Sequence, residues 1–543
     1  MLMVQKPAMK ASASPAVNHR TEEASETSAT PSSSQTGLLP SSSKAFTGAH
    51  WLMLVGIVCI AAALRLYKLG EWSLWVDEAH TWRDVTIPLG EFFNSARRWY
   101  PLSYLGLRGL LEWGWLPGES EYWLRAPFAL FGILTVPWLA MVGKQLVGRR
   151  AALLAALFLA INPWHIYWSQ NARAYVLVVF FVVVSVGLFL RGIRNRSYLS
   201  MGASFLVMLA AGACHFTALS LLPVYVAYGL LSRGMTARRA WILGIATVIL
   251  VPLLPHLLSL LPPFQHFQRA KPQASLWHLV QTIAFYFRLP LICASGLGIW
   301  LLLRKRLEGR ALFLTCCSLI PIFVLSVVGF SLVKVTARYA LTALPAMILL
   351  SGYASVRMAD VLAAGLGSSS RASRLLPATI LPLILCLDMI SYDYLYFRAQ
   401  YGDRGRYREA STYIEQEAGP NPAAVLTVNQ RSMLYYLRPG HWRLFEDPHH
   451  RWVFDINQWK VYPRPGTASE YLHNGRDFLL DYKNECRRSN RKLFVVVTLP
   501  ELKEKDRDGS LRRALRDEFE IVRVLECNVG PKQETIYIYR PRW

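Results

Sequence analysis

Apolar residues in this chain gather into long runs, at residues 51–67, 125–145, 151–168, 174–191, 198–214, 216–232, 240–260, 281–303, 311–333, 339–356 and 375–396. A helix needs roughly 20 apolar residues to cross a bilayer, so the pattern predicts about eleven transmembrane helices, the shorter ones covering the mismatch by tilt or flanking aromatics. The flanking regions differ in character. Residues 1–46 are rich in Ser, Thr, Ala and Pro with few large apolar side chains, a composition that cannot bury enough surface to order itself. They predict a disordered cytoplasmic tail. It lacks the charged, apolar and small-residue succession of a signal peptide, which makes 51–67 a retained first span. After Phe397 the chain turns polar. Strand-like runs Ala424–Val428, Leu493–Thr498, Ile521–Leu525 and Thr535–Tyr539 alternate there with helical patterns at Tyr407–Glu417 and Ser510–Phe519. The expected fold class is a polytopic α-helical membrane protein, with spans over 47–397 and a small extracytoplasmic α/β domain over 398–543. No internal repeat is evident.

With 53% hydrophobic residues among 543, the chain is too apolar for ordinary soluble domains. A formal charge of +24 raises the question of a nucleic-acid partner. The basic residues, however, fall in short connectors between apolar runs, as topology signals do, and that reading is set aside. Gly148 to Arg150, Arg191 to Arg196, Arg233 to Arg239, Arg304 to Arg310 and Arg371 to Arg374 occupy alternate connectors, which assigns them to the cytoplasm. The other connectors, with Asp77-Glu78, Ser169 to Tyr175, His215, Pro262 to Trp277 and Thr336 to Tyr339, then face outward. The odd span count sends the C-terminal domain outward as well. Six of the eight cysteines lie in or beside apolar runs as small hydrophobes. Cys486 and Cys527 stand in the polar part, where one disulfide is conceivable in an oxidising compartment.

Asp77 and Glu78 sit just beyond the first apolar run, and acids beside hydrocarbon are costly enough to mark a functional-site candidate. As helix neighbours they point about 100° apart and need separate roles. Asp77 suits a general base toward an incoming hydroxyl or amine, and Glu78 a partner that orients an Arg or Lys. The bland alternative is a pair of interfacial acids, solvated or paired to Arg83. Farther along, Asn162 to Tyr175 contains Trp164, Tyr167 and Trp168, which suit an interfacial belt, but a belt does not explain an outward Arg173. Arg338 poses the same question. Each wants an anion, either a substrate phosphate or a lipid head group. His215 opens the sixth run and reads equally as an interfacial histidine. The aromatic, Pro-rich stretch Pro262 to Trp277 reads as a gate over a lipid tail or as a plain loop.

The segments Leu-Trp-Val-Asp77-Glu78-Ala, Ser169-Gln-Asn-Ala-Arg173-Ala-Tyr175, Cys214-His215-Phe216 and Ala337-Arg338-Tyr339 with Leu344-Pro345 resemble, in order, signature segments of bacterial GT-C glycosyltransferases. The nearest resemblance is to the dolichyl-phosphate-mannose-protein mannosyltransferase and aminoarabinose transferase superfamily, including RgtA/B/C/D-like members. It spans about residues 51–397. It implies a many-helix membrane domain with a large first outer loop, and a polyprenyl-phosphate monosaccharide as donor. Asp77 matches the family's catalytic acid, and Arg173 the arginine of its Ser-Gln-x-Ala-Arg segment. Asn171 stands where the family often has Glu. Trp99-Tyr100-Pro101-Leu102 replaces a basic-Pro-Pro-Leu segment, leaving Arg97 or Arg98 to supply the basic group.

The sequence therefore reads as a multi-pass enzyme of the cytoplasmic (inner) membrane. It would transfer a sugar from a polyprenyl-phosphate carrier to a lipid, glycan or protein acceptor on the outer face, in a single displacement that inverts the anomeric carbon. Asp77 and Glu78 form the catalytic pair, Arg173, Arg338, Arg97 and Arg98 the phosphate-binding set, and His80, Gln170, Tyr175, His215 and Tyr339 are further site candidates. No metal ligands are assigned and no cofactor is certain, a divalent metal remaining open. The alternatives are a lipid-linked-sugar transporter or flippase, which should show repeat symmetry, and a non-catalytic assembly protein, which should tolerate loss of Asp77.

Overall fold

The computed structural model describes residues 45–543 apart from 119, 232–275, 306–307, 332–335, 366–370, 420–422, 428–429, 438–441, 447–451, 457–458, 463–467, 507 and 530–531. Among the described residues, six helices are long and apolar enough to cross a membrane: 48–66, 121–146, 175–195, 309–328, 337–362 and 379–398. Two further spans are bent pairs, Arg149–Ala160 with Pro163–Ser169 (58°) and Trp277–Phe287 with Leu289–Arg304 (88°). The predicted spans at 198–214 and 216–232 correspond to shorter apolar helices, Tyr198–Cys214 and Phe216–Val226. The predicted span at 240–260, the stretch 262–275 and nearly all of the N-terminal tail lie outside the described residues. By length and apolarity six to eight of the described helices qualify as spans; of the eleven predicted, two are the shorter helices and one lies outside the described residues.

The breaks have local causes. Asn162 caps the second half of the first bent pair, its side chain accepting from the His165 N–H, with Pro163 in the first helical position. Gly148, at φ +88° and ψ 165°, takes an extended positive-φ conformation open to glycine and turns helix Glu121–Leu146 into Arg149–Ala160. The spans pack closely where small residues allow it. A Cβ at Gly298 would lie 2.3 Å from the Leu350 carbonyl oxygen, so this glycine sets the approach of helix Leu289–Arg304 to helix Leu344–Gly365.

The connector between the first two long spans is built of helices. Val76–Thr86, Leu89–Asn94 and Leu102–Glu112 lie between Leu66 and Glu121. Two 3-10 turns, Phe216–Leu221 and Ala337–Ala343, pack on one another, each leading into a helix. They carry His215 at the entrance of one and Arg338 within the other.

Past Arg398 the chain forms a mixed seven-stranded sheet. Its strands are β1 (Ala423–Thr427), β2 (Trp442–Glu446), β3 (Trp452–Ile456), β4 (Trp459–Tyr462), β5 (Lys492–Thr498), β6 (Phe519–Leu525) and β7 (Ile536–Pro541). The order is β2-β3-β4-β1-β5-β7-β6, with β1 parallel to β4 and β5 and the other pairs antiparallel. Period-two alternation along β5 divides its side chains between two cores. Phe494 and Val496 pack with Tyr407 and Ile414 of helix Tyr407–Ala418, and Leu493, Val495 and Val497 with Leu479 and Leu515 of helices Ala468–Arg488 and Ser510–Glu518. Cys486 is buried in the second core. Cys527 is buried elsewhere, its Sγ 3.5 Å from the Gln400 carbonyl. Both are free thiols, so the disulfide considered from sequence does not form. Burial pushes the Cys527 thiol up to about 12.

Candidate active site

Leu74 and Trp75 lead in extended conformation into helix Val76–Thr86, placing Asp77 and Glu78 in its first turn with different surroundings. Glu78 has no exposed surface. Its carboxylate takes a two-pronged contact from Arg125, Nε and Nη2 each at 2.7 Å, and accepts the Ala172 N–H at 2.9 Å. Arg404 Nε adds a cation at 3.4 Å. Burial alone would raise the Glu78 carboxyl, but Arg125 and Arg404 hold it below the usual carboxylate range. It is therefore an anchored anion. The expected catalytic pair becomes one reachable carboxylate, Asp77, whose side chain is 26% exposed, beside a buried one that fixes its neighbours. Arg83, weighed as an alternative partner, contacts Asp84.

Three of the four predicted phosphate-site arginines converge near Asp77. Arg338 donates from Nη1 to Asp77 Oδ2 at 2.9 Å. Arg173 Nη1 reaches the Asp77 carbonyl (3.4 Å), Thr81 Oγ1 (3.2 Å) and the Tyr104 hydroxyl (3.0 Å). Arg97 bonds Asp84 Oδ2 at 2.8 Å and the Tyr100 hydroxyl, and its guanidinium lies over the Tyr104 ring. Arg98 does not join them. It is exposed and stacked on Trp99, which leaves Arg97 as the basic residue of this segment facing the site. The Nε atoms of Arg173 and Arg338 are buried without a hydrogen-bond partner. Two buried guanidinium Nε donors thus lack a partner beside the Arg338–Asp77 pair, where buried polar groups are otherwise satisfied, and an anion seated here would complete them.

The aromatic candidates wall this seat. The His215 ring packs on Tyr175 (5.1 Å), Tyr339 (5.5 Å) and Tyr100 (5.7 Å), while its Nδ1 faces Thr217 Oγ1 at 3.0 Å. Arg338 lies over the rings of Tyr175 and Tyr339. His80, one turn beyond Asp77, is on the same side of its helix. Gln170 departs from expectation. Its amide donates to the carbonyls of Leu64, Arg65 and Tyr67 and its oxygen accepts from Tyr396, so it ties the connector to the end of the first span rather than facing the seat. Asn171 is buried and accepts the Trp75 indole N–H at 3.1 Å. Among the described residues, no group of three or more His, Cys, Asp and Glu side chains could hold a metal ion.

Arg125, Arg404, Tyr104 and Asp84 were not singled out in the sequence. Arg125 lies inside an apolar span and Arg404 beyond the last one, and each meets Glu78 only through folding. The one available signal was that a buried acid needs a cation.

Residues 115–258 match the family model described as dolichyl-phosphate-mannose-protein mannosyltransferase. The match covers about a quarter of the chain. The family segment contains Arg125, Gln170, Arg173, Tyr175 and His215, whereas Asp77, Arg97, Arg338 and Arg404 lie outside it. The fold is shared with solved structures at low identity. ArnT from Cupriavidus metallidurans bound to undecaprenyl phosphate is 14% identical, with 91% of this chain and 98% of that chain covered and a TM-score of 0.50. The Archaeoglobus fulgidus oligosaccharyltransferase tethered to an acceptor peptide is 12% identical, with 90% and 74% covered and a TM-score of 0.52. No match was found among curated proteins.

Proposed function

We propose that this protein is a membrane glycosyltransferase that moves a monosaccharide from a polyprenyl-phosphate carrier to an acceptor on the outer face of the cytoplasmic membrane. The observation that carries this reading is the meeting of Asp77 with the partly unsatisfied guanidiniums of Arg173 and Arg338. The family segment and the fold shared with a protein crystallised with undecaprenyl phosphate support a donor of that class.

Asp77 accepts the acceptor's proton as its oxygen or nitrogen bonds to the anomeric carbon. The bond from that carbon to the phosphate oxygen breaks, and its electron pair stays on the polyprenyl phosphate. Arg173, Arg338 and Arg97 stabilise the charge that grows there, an interaction worth more in the transition state than in the bound donor. Glu78 and Asp84 beside the seat are buried and ion-paired, which leaves no second carboxylate there among the described residues to act as a nucleophile and favours one inverting displacement. The same reading places residues 1–46 in the cytoplasm and 398–543 outside, following the basic connectors.

The test is a reconstitution. The purified chain in lipid vesicles is given a panel of polyprenyl-phosphate monosaccharides and candidate lipid, glycan and peptide acceptors, and products are read by mass spectrometry. The expected result is release of free polyprenyl phosphate together with a glycosylated acceptor, lost in Asp77→Asn. Movement of intact donor across the bilayer, without bond cleavage, would establish the transporter reading instead.

A further inference from the structure

The segment that follows the last span reaches back into the site. Arg404 is fully buried, although it lies beyond Arg398 and outside every apolar run. Its Nε faces Glu78 at 3.4 Å, Nη2 donates to the Gln170 carbonyl at 2.6 Å, and Nη1 donates to the Gly402 carbonyl at 2.6 Å and the Tyr396 hydroxyl at 3.2 Å. The guanidinium also lies between Trp72 and Tyr167, 5.6 and 5.3 Å from their ring centres. One side chain thus joins the helix that carries Asp77 to the connector that carries Arg173.

The joint is closed on both sides. Glu78 accepts the Ala172 N–H next to Arg173, and the Tyr396 hydroxyl donates to Gln170 Oε1 at 2.8 Å. Further contacts from the same C-terminal part hold the approach to Asp77. Arg408 donates to the carbonyls of Gly70 (3.0 Å) and Glu71 (2.7 Å) and pairs with Glu121, and the Tyr436 hydroxyl receives the Leu74 N–H at 2.6 Å. A cation buried at such a junction, bonded to both site-bearing segments at Glu78 and Gln170, has a geometric task.

We infer that Arg404 is a positioning residue for sugar transfer: from the start of the C-terminal part it fixes the spacing of Asp77 and Arg173 through Glu78 and Gln170. The inference rests on the glycosyltransferase reading above and assigns the C-terminal part a share in building the site. Arg404 touches neither donor nor acceptor. Its removal should therefore misplace the base relative to the phosphate seat without unmaking the seat, and errors of about 1 Å in such geometry cost on the order of 100-fold in rate.

The experiment uses the full-length chain in vesicles, with kcat and donor KM measured per folded molecule. Arg404→Met is expected to lower kcat about 10- to 100-fold while donor KM stays within about twofold, and Arg404→Lys to restore part of kcat. Tyr396→Phe should lower kcat by a few-fold alone and add little on the Arg404→Met background, since residues of one network are not additive. Wild-type kcat in folded Arg404→Met, or a rise in donor KM at unchanged kcat, overturns the inference. Should Arg404→Met not accumulate, Tyr396→Phe decides, with wild-type kcat as the overturning result. Failure of the underlying reading looks different: the wild-type chain itself then cleaves no donor.

Discussion

Arg338 and Asp77, 261 positions apart in the chain, form an ion pair of 2.9 Å at the mouth of the site. Both side chains keep some exposure, 17% and 26%, so neither is locked away from a ligand. On the proposed reading, a donor phosphate entering here would compete with Asp77 for the guanidinium, and a carboxylate released from its cation is the better proton acceptor. The pair would then join donor binding to base strength in one contact.

Replacing Asp77 by Asn removes the proton acceptor and keeps its shape. Asp77→Asn is expected to insert and accumulate normally while sugar transfer falls by roughly two to four orders of magnitude, the usual weight of a general base. Near-wild-type turnover of the purified variant would take the base role away from Asp77.

Arg338 is expected to act through paired hydrogen bonds to phosphate oxygens, which an ammonium cannot reproduce. Arg338→Ala should weaken donor binding and slow transfer, and Arg338→Lys should recover part of each. If the interaction strengthens mainly in the transition state, kcat falls with little change in donor affinity. Unchanged affinity together with unchanged turnover in Arg338→Ala would reduce the residue to an interfacial anchor.

Glu78 predicts an acid limb in stability. Its carboxyl lies below the usual range in the folded protein, so the unfolded chain binds more protons as pH drops through the unfolded value of about 4.3. Its contribution is complete above that value and is lost as pH falls through the lower folded value. Thermal unfolding of Glu78→Gln should show a flatter acid limb than wild type. Arg125→Met, which strands a buried carboxylate, should destabilise by about 3–5 kcal/mol at neutral pH. An Arg125→Met protein as stable as wild type would mean that Glu78 is reached by water.

The proposed orientation rests on the basic connectors. Reporters active on only one side of the membrane, fused after Arg310 and after Trp543, are expected to report opposite compartments, cytoplasmic and outer respectively. Agreement between the two would break the topology and the outward-facing site with it.

Much of the architecture was written in local composition. Apolar runs fixed the membrane segments because hydrocarbon length selects them residue by residue, and four of the sheet's strands, β1, β5, β6 and β7, together with helices Tyr407–Ala418 and Ser510–Glu518, followed their own periodicities. Strands β2 to β4, each four or five residues long and mixed with charge, carried no such signal, because short antiparallel strands are defined by their partners. The site divides in the same way. Asp77, Arg173 and Arg338 stood out because a charge beside hydrocarbon needs a reason that its own sequence neighbourhood cannot provide. Which acid stays reachable was decided by tertiary structure alone: Arg125 and Arg404 arrive from 47 and 326 positions away to neutralise Glu78, while Asp77 keeps part of its side chain exposed beside Arg338. Such pairings depend on where distant segments come to rest, and the cost of burying an unpaired charge then admits only the arrangement in which each finds its counterion.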